Sequence, residues 1–262
     1  MIDTVRLREQ AAAMGVSVTP DTAEKFDLYA ARLVETNRRV NLTAITDPEG
    51  ILVKHFLDSL TLAPLLAERS AAALSLIDVG TGAGFPGVPL ALVCPGLKLT
   101  LLDALQKRLT FLEGLCRELA VPAALIHARA EEAGRRPALR EQFDVATARA
   151  VAGLPVLCEY LLPLVKPGGR MVAMKGPDGE SELVAAAGAI SVLSGRPEPV
   201  RRLSLPPAPP SGGGSGRSAA AYCGQNRAYP GGLSPSPGKN RQKAAIKTFF
   251  LRLPSTSPTR KR

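Results

Sequence analysis

The residues best suited to chemistry form one run, Ile77-Asp78-Val79-Gly80-Thr81-Gly82-Ala83-Gly84-Phe85-Pro86-Gly87, directly after a short apolar stretch. Glycines at this density permit positive φ and let a ligand approach the main chain with no Cβ in the way. The amides exposed at the turn and at the start of a following helix bind polar ligand groups. Gly82-x-Gly84-x-x-Gly87 has the spacing of a dinucleotide fingerprint. Asp103, 21 residues after Gly82, ends the next apolar stretch, where a carboxylate can hold a ribose. A nucleotide-like ligand is expected here. The plain alternatives are a structural glycine turn and, for Asp103, a cap on the helix that follows it.

Such a loop needs a sheet behind it. Short apolar runs at Leu74–Val79, Lys98–Leu102, Ala124–His127, Phe143–Thr147 and Gly169–Met174 read as strands buried on both faces. Between and after them, Pro89–Cys94, Leu105–Ala120, Leu154–Val165 and Gly179–Leu193 read as helices. This alternation implies an α/β fold with a doubly wound parallel sheet and right-handed crossovers. Ligands of such sheets lie beyond the carboxyl ends of the strands, so the residues just after each strand are where chemistry is expected.

Residues 1–70 read as an N-terminal helical extension, 71–206 as the ligand-binding core, and 207–262 as a Pro/Gly/Ser-rich basic tail, largely disordered. In the extension, Thr19 as N-cap, Pro20 at the first helical position and Asp21 behind it open a helix that carries Phe26, Tyr29, Leu33 and Val34. A second helix is expected over Pro48–Leu66, with Ile51, Phe56, Leu60 and Leu62 facing inward and Lys54 and Asp58 as an i,i+4 pair. These apolar stripes are read as core.

The chain has 262 residues, 45% apolar and 21% charged, enough to bury a sizeable core and unlike collagen, disordered-polymer or disulfide-scaffold compositions. Cys94, Cys116, Cys158 and Cys223 form no CxxC pair, and His55 and His127 are the only histidines, so no metal site is expected. The uninterrupted apolar runs are short of a bilayer span and the start lacks a signal-peptide layout, so a cytoplasmic protein without membrane contact is expected. The net charge of +10 resembles a nucleic-acid signature until it is located: residues 207–262 hold ten Lys or Arg and no acid, which is the whole excess.

With the ordered motifs assembled, the chain resembles the bacterial small-subunit rRNA guanine-N7 methyltransferase family (RsmG/GidB). The run Asp78–Gly87 carries the resemblance together with Asn41-Leu42-Thr43-Ala44-Ile45 and His55-Phe56-Leu57-Asp58-Ser59-Leu60. It continues through Leu102-Asp103-Ala104-Leu105-Gln106-Lys107-Arg108, Arg129-Ala130-Glu131, Ala148-Arg149-Ala150-Val151-Ala152, Lys166-Pro167-Gly168-Gly169 and Lys175-Gly176. Pro86 inside the fingerprint and Asp78 before it also favour a methyltransferase over an NAD-dependent dehydrogenase, and a non-catalytic rRNA-binding or assembly factor is the third reading. The resemblance implies a class I S-adenosylmethionine-dependent methyltransferase fold, with S-adenosyl-L-methionine as cofactor and 16S rRNA or the small ribosomal subunit as partner. A monomer is expected.

By the same resemblance, Gly80 and Phe85 contact the cofactor from the first loop, Ala130 and Glu131 flank the adenosine, and Arg149 contacts it after the fourth strand. Gly82 and Asp103 are added from the loop and strand-end reading. Arg149 also fits a surface ion pair and Glu131 a solvated helix start. No catalytic residue is expected, because guanine N7 carries an in-plane lone pair and no proton, so alignment rather than a general base is required. His55 and Asp58 are therefore read as a brace at the pocket rim, with a direct cofactor or RNA role as the alternative. For RNA contact the body offers Lys107, Arg108, Arg129, Arg135, Arg136 and Lys175, each of which fits an ordinary solvated charge better than a specific contact. With aromatics at 4% and no Trp, folded RNA shape is the expected basis of recognition.

The tail departs from the family, whose seventh strand ends near Lys-Thr-Gly and is followed by Arg-x-Pro-Gly. Here stand Gln225-Asn226-Arg227 and Pro237-Gly238-Lys239-Asn240. Codons for Gln-Asn-Arg followed by Ala, read one nucleotide later, can encode a Lys or Arg, an Ile or Thr, then a Gly or Glu. The expectation is a reading-frame shift beginning near residue 207, with the seventh strand either missing or replaced by Ile246–Leu253. The competing expectation is a genuine basic arm that folds on rRNA.

Overall fold

The computed structural model describes residues 1–67, 74–176, 178–205 and 245–255. The chain enters through helices α1 (Thr4–Ala13) and α2 (Pro20–Asn37) and the long α3 (Pro48–Ala67). The Thr19 hydroxyl accepts from the Thr22 amide, with Pro20 opening α2 as its sequence requires. Helix α3 begins at an Asp47 cap and winds as a π-helix over Ile51–Leu57 before returning to α-helix. By length and a mean hydropathy of 1.3 it could cross a membrane, a property that short uninterrupted apolar runs do not reveal, but 72% of that window is buried in this protein.

The sheet follows: β1 (Ser75–Val79), α4 (Gly87–Val93), β2 (Lys98–Asp103), α5 (Gln106–Glu118), β3 (Ala123–His127), α6 (Ala130–Ala133) and β4 (Phe143–Arg149). Then come α7 (Leu154–Leu161), β5 (Val165–Lys175), α8 (Gly179–Ala185), α9 (Ala187–Val192), β6 (Arg196–Pro197), β7 (Arg201–Ser204) and β8 (Ala245–Arg252). The strand order is β3-β2-β1-β4-β5-β8-β6, with β7 also on β8; β1 to β5 are parallel and β8 is antiparallel to its neighbours. The five expected strands are all present. Arg149 is the last residue of β4 rather than the first after it, and the expected helix over Gly179–Leu193 is divided at Ala186.

The N-terminal helices share one core with a face of the sheet, in which Leu7, Phe26, Tyr29, Leu33 and Phe56 meet Leu76, Leu99 and Leu112. Phe26 packs edge-on against Phe56 at 4.9 Å, and burial of each such ring contributes about 1.5–3 kcal/mol. The other face of the sheet is covered by α7 and its neighbours through Leu154, Leu157, Leu161, Ala186 and Ile190.

Of the tail, residues 206–244 and 256–262, where the expected disorder and the reading-frame shift fall, lie outside the described residues. Ala245–Arg252 forms β8 beside β5, with Thr248, Phe249, Phe250 and Leu251 buried. A Cβ on Gly179 would collide with the Phe249 ring, so the start of α8 packs directly on this strand.

Candidate functional site

Between β1 and β4 the sheet's winding reverses direction, and the loops after these two strands face each other there. Gly80, Gly82 and Gly84 have φ of +66°, +61° and +103°. Their roles differ. A Cβ on Gly84 would stand 2.6 Å from the Tyr29 hydroxyl, and one on Gly87 would stand 2.9 Å from Asp78 Oδ2, so these two glycines serve close packing. Above Gly82 a Cβ would meet only the Gly80 carbonyl, at 4.0 Å, which leaves a clear approach to the main chain.

Asp78 is buried, and its Oδ2 accepts from the Thr81 hydroxyl (2.8 Å) and the Gly87 amide (2.9 Å). Burial pushes its carboxyl up to about 6, against the pull of those two donors. Its Oδ1 has no partner among the described residues. Asp103 accepts from Gly82 N through Oδ2 and from Leu105 N through Oδ1, both at 2.9 Å, with Arg108 at 3.4 Å. Asp103 thus ties the glycine loop to Leu105, the residue before α5, by a two-residue turn; the helix itself has no side-chain cap, so the expected alternative of Asp103 as its cap is not what forms. At the end of β3, Ala130 and Glu131 open α6, and Glu131 lies 3.5 Å from Arg129 on the exposed side.

The rim opposite is built by α3. Arg149 Nη1 donates to Asp58 Oδ2 at 2.6 Å and to the Lys54 carbonyl at 3.1 Å, while Nη2 lies 3.3 Å from His55 Nδ1. Asp58 therefore turns to Arg149 instead of forming the expected pair with Lys54, and His55 and Asp58, three residues apart on α3, both face the end of β4. Burial raises the Asp58 carboxyl and the Arg149 charge opposes it. His55 is lowered to about 3, first by burial and then by Arg149, and is neutral. Arg149 can only donate, so Nδ1 accepts and Nε2 carries the proton toward Thr43 Oγ1 at 2.8 Å. Thr43 is fixed in turn by Asn37, whose side chain bonds both the Thr43 amide and its carbonyl.

Phe85 joins the two halves. Its ring stacks with Tyr29 at 5.2 Å and with His55 at 4.5 Å, and the Arg149 guanidinium stands 4.9 Å from its centroid. Tyr29 donates to the Ala83 carbonyl at 2.6 Å, which ties α2 to the glycine loop.

Gly80, Gly82, Phe85, Asp103 and Arg149 are therefore assembled along adjacent strand ends, with Ala130 and Glu131 at the far side beyond β2. Sequence reading missed Tyr29, which looked like ordinary core, Thr43, and Val151, which stands over Gly80. It also placed Lys175 among solvent-facing RNA contacts. The Lys175 side chain is only 11% exposed and pairs with Glu182 at 2.7 Å, because the loop after β4 folds back onto it.

The family described as rRNA small subunit methyltransferase G matches residues 22–206. Ribosomal RNA small subunit methyltransferase G of Lactobacillus johnsonii is 46% identical over 201 residues, covering 76% of this chain and 83% of that protein. The protein of the same name from Symbiobacterium thermophilum is 44% identical over 230 residues, covering 86% and 90%. A solved SAM-dependent O-methyltransferase from Thermotoga maritima matches with a TM-score of 0.50 at 16% identity, covering 86% of this chain and 73% of that one, a likeness of fold.

Proposed function

Since this chain belongs to the rRNA small subunit methyltransferase G family, we propose that it methylates guanine N7 of 16S rRNA, using S-adenosyl-L-methionine. The observation that carries this reading is the family match across 22–206, a span that contains every strand end of the site from Gly80 to Arg149. The relationship favours methyl transfer over a dehydrogenase.

The residues present suit the cofactor. Gly82 offers an open main chain, and the short helix at Ala130 and Glu131 adds a second edge beyond Asp103. Gly80, Gly82, Phe85, Asp103, Ala130, Glu131 and Arg149 form the proposed binding set. Asp103 contributes by fixing the loop, and Arg149 by holding Phe85 and α3 in place. S-adenosylmethionine supplies an electrophilic methyl carbon on a sulfonium centre. Guanine N7 attacks with its own lone pair, so the protein's task is to align nucleophile, carbon and leaving sulfur and to hold the base out of its stack. Buried beside Arg149, His55 is too weak a base to take up a proton near neutral pH, and its ring serves as the floor under Phe85 and a support for Arg149. An rRNA substrate agrees with work in the cytoplasm.

The test is transfer of labelled methyl to unmethylated small ribosomal subunits, followed by nuclease digestion. Label in N7-methylguanosine is the expected result. Binding to subunits without transfer, independent of cofactor, would replace it with the non-catalytic reading.

A further inference from the structure

The lip opposite the glycine loop is Ala150–Gly153, between β4 and α7. It reaches the loop at one place: a Cβ on Gly80 would lie 2.7 Å from a Val151 γ-methyl. Val151 itself remains 36% exposed, an apolar side chain presented at the mouth of the crevice. Apart from Arg149, which ends β4 and turns to Asp58 and Phe85, the proposed cofactor set ranges along β1, β2 and β3, so the lip beyond β4 is the side left for the base that receives the methyl.

The lip does not hold its own shape. Ala150 has φ of +56°, a left-handed conformation that costs a residue with a Cβ about 1–3 kcal/mol unless its surroundings impose it. The N-cap of α7 is Gly153, which has no side chain with which to cap the helix. The end of the lip and the start of α7 are held from behind by two residues. Lys175, the last residue of β5, donates through Nζ to the Ala152 carbonyl at 2.8 Å and pairs with Glu182 Oε2 at 2.7 Å. The same carboxylate oxygen accepts from Leu154 N, the first amide of α7, at 2.7 Å. One ion pair, with side chains 11% and 30% exposed, thus fastens both the end of the lip and the start of the helix behind it.

We propose that Lys175 and Glu182 are a positioning pair for methyl transfer: they hold the Ala150–Gly153 lip, with Val151, where it seats the acceptor base against the methyl donor. The inference rests on the function proposed above. It goes beyond that function by assigning the acceptor side of the crevice and the residues that set it. Neither residue touches the reacting atoms. Their contribution is alignment, and a displacement of about 1 Å at a reacting pair can cost on the order of 100-fold in rate.

The experiment uses the full chain with Lys175→Met, Glu182→Gln, both together, and Val151→Ala. S-adenosylhomocysteine affinity is measured by calorimetry, kcat and KM on unmethylated small subunits, and thermal stability alongside. The expected result is cofactor affinity within about threefold of native, kcat/KM lowered roughly 10- to 100-fold in each single clamp variant, and a double variant no worse than either single one. Val151→Ala, which leaves the clamp intact, lowers kcat/KM in the same direction and serves if the clamp variants do not fold. Native kinetics in the folded variants, or a loss of cofactor affinity that parallels the loss of rate, overturns the positioning pair while native transfer stands. A native protein that binds S-adenosylhomocysteine but transfers no methyl overturns the proposed function and this inference with it.

Discussion

Arg149 and Asp58, 91 residues apart in the chain, meet at 2.6 Å where the end of β4 reaches α3, and the same guanidinium stands 4.9 Å from the centre of the Phe85 ring. The N-terminal helices thereby border the proposed cofactor site, because the residue that anchors them also flanks the glycine loop.

Removing one side of this pair leaves the other nearly buried and unmatched. Arg149→Met is expected to cost about 3 kcal/mol in urea unfolding and to weaken S-adenosylhomocysteine binding at least tenfold. Asp58→Asn, which leaves the cation in place, should cost stability with a smaller effect on binding. Equal loss of binding in both variants would contradict the division of roles.

The glycines of the loop separate by the same logic. Gly84→Ala drives a methyl into Tyr29 and should lower the melting temperature strongly, with at least 2 kcal/mol lost. Gly82→Ala meets open space, so its cost to the fold is about 1 kcal/mol from the positive φ, while cofactor affinity falls more than tenfold. Calorimetric binding beside thermal melts on both variants decides this.

The pH dependence of stability carries two opposed signatures. His55 is lowered to about 3 in the folded protein, so its contribution is complete above the ordinary histidine value near 6.5 and is lost as the pH falls toward 3. Asp78 is raised to about 6, so its contribution is complete below the ordinary aspartate value near 3.8 and is lost as the pH rises through 6. His55→Asn should therefore flatten the fall in stability between about pH 6.5 and 4 by on the order of 1 kcal/mol per pH unit. Parallel native and variant curves would show that the folded imidazole titrates normally.

Methyl transfer should show no limb belonging to a general base. From about pH 6.5 to 8.5, single-turnover rates on small subunits are expected to stay nearly level, whereas an essential base titrating in that range would give a tenfold change per unit below its pKa.

Strand β8 should be needed for the fold. Phe249 and Leu251 are buried between β5 and its covering helices, so Phe249→Ala is expected to cost about 3–5 kcal/mol. A chain ended at Leu205 should melt well below the full one. An unchanged melting temperature would show that the residues after 205 add nothing to the sheet.

What could be read from the sequence is what local pattern encodes. The apolar runs marked β1, β2, β4 and β5 because strands buried on both faces are continuously apolar, whereas β3, expected to be buried likewise, lies at the sheet's edge and is only partly covered; Thr19-Pro20-Asp21 marked the start of α2 because caps are local. The glycine run and the strand ends are local signals too, and on them rests the proposed cofactor side. The Lys54–Asp58 pair was also a local inference, and it failed because Asp58 is buried against Arg149, a partner from β4 that spacing along α3 does not reveal.

The tertiary structure alone decided the long-range partnerships: Tyr29 with Ala83, Thr43 with His55, Arg149 with Asp58, and Lys175 with Glu182 and Ala152. Nothing in the spacing of these residues distinguishes them from core aromatics or solvated charges. Their roles come from the winding of the sheet, which brings the ends of β1, β4 and β5 together, and from burial, which leaves each polar group a neighbour in place of water.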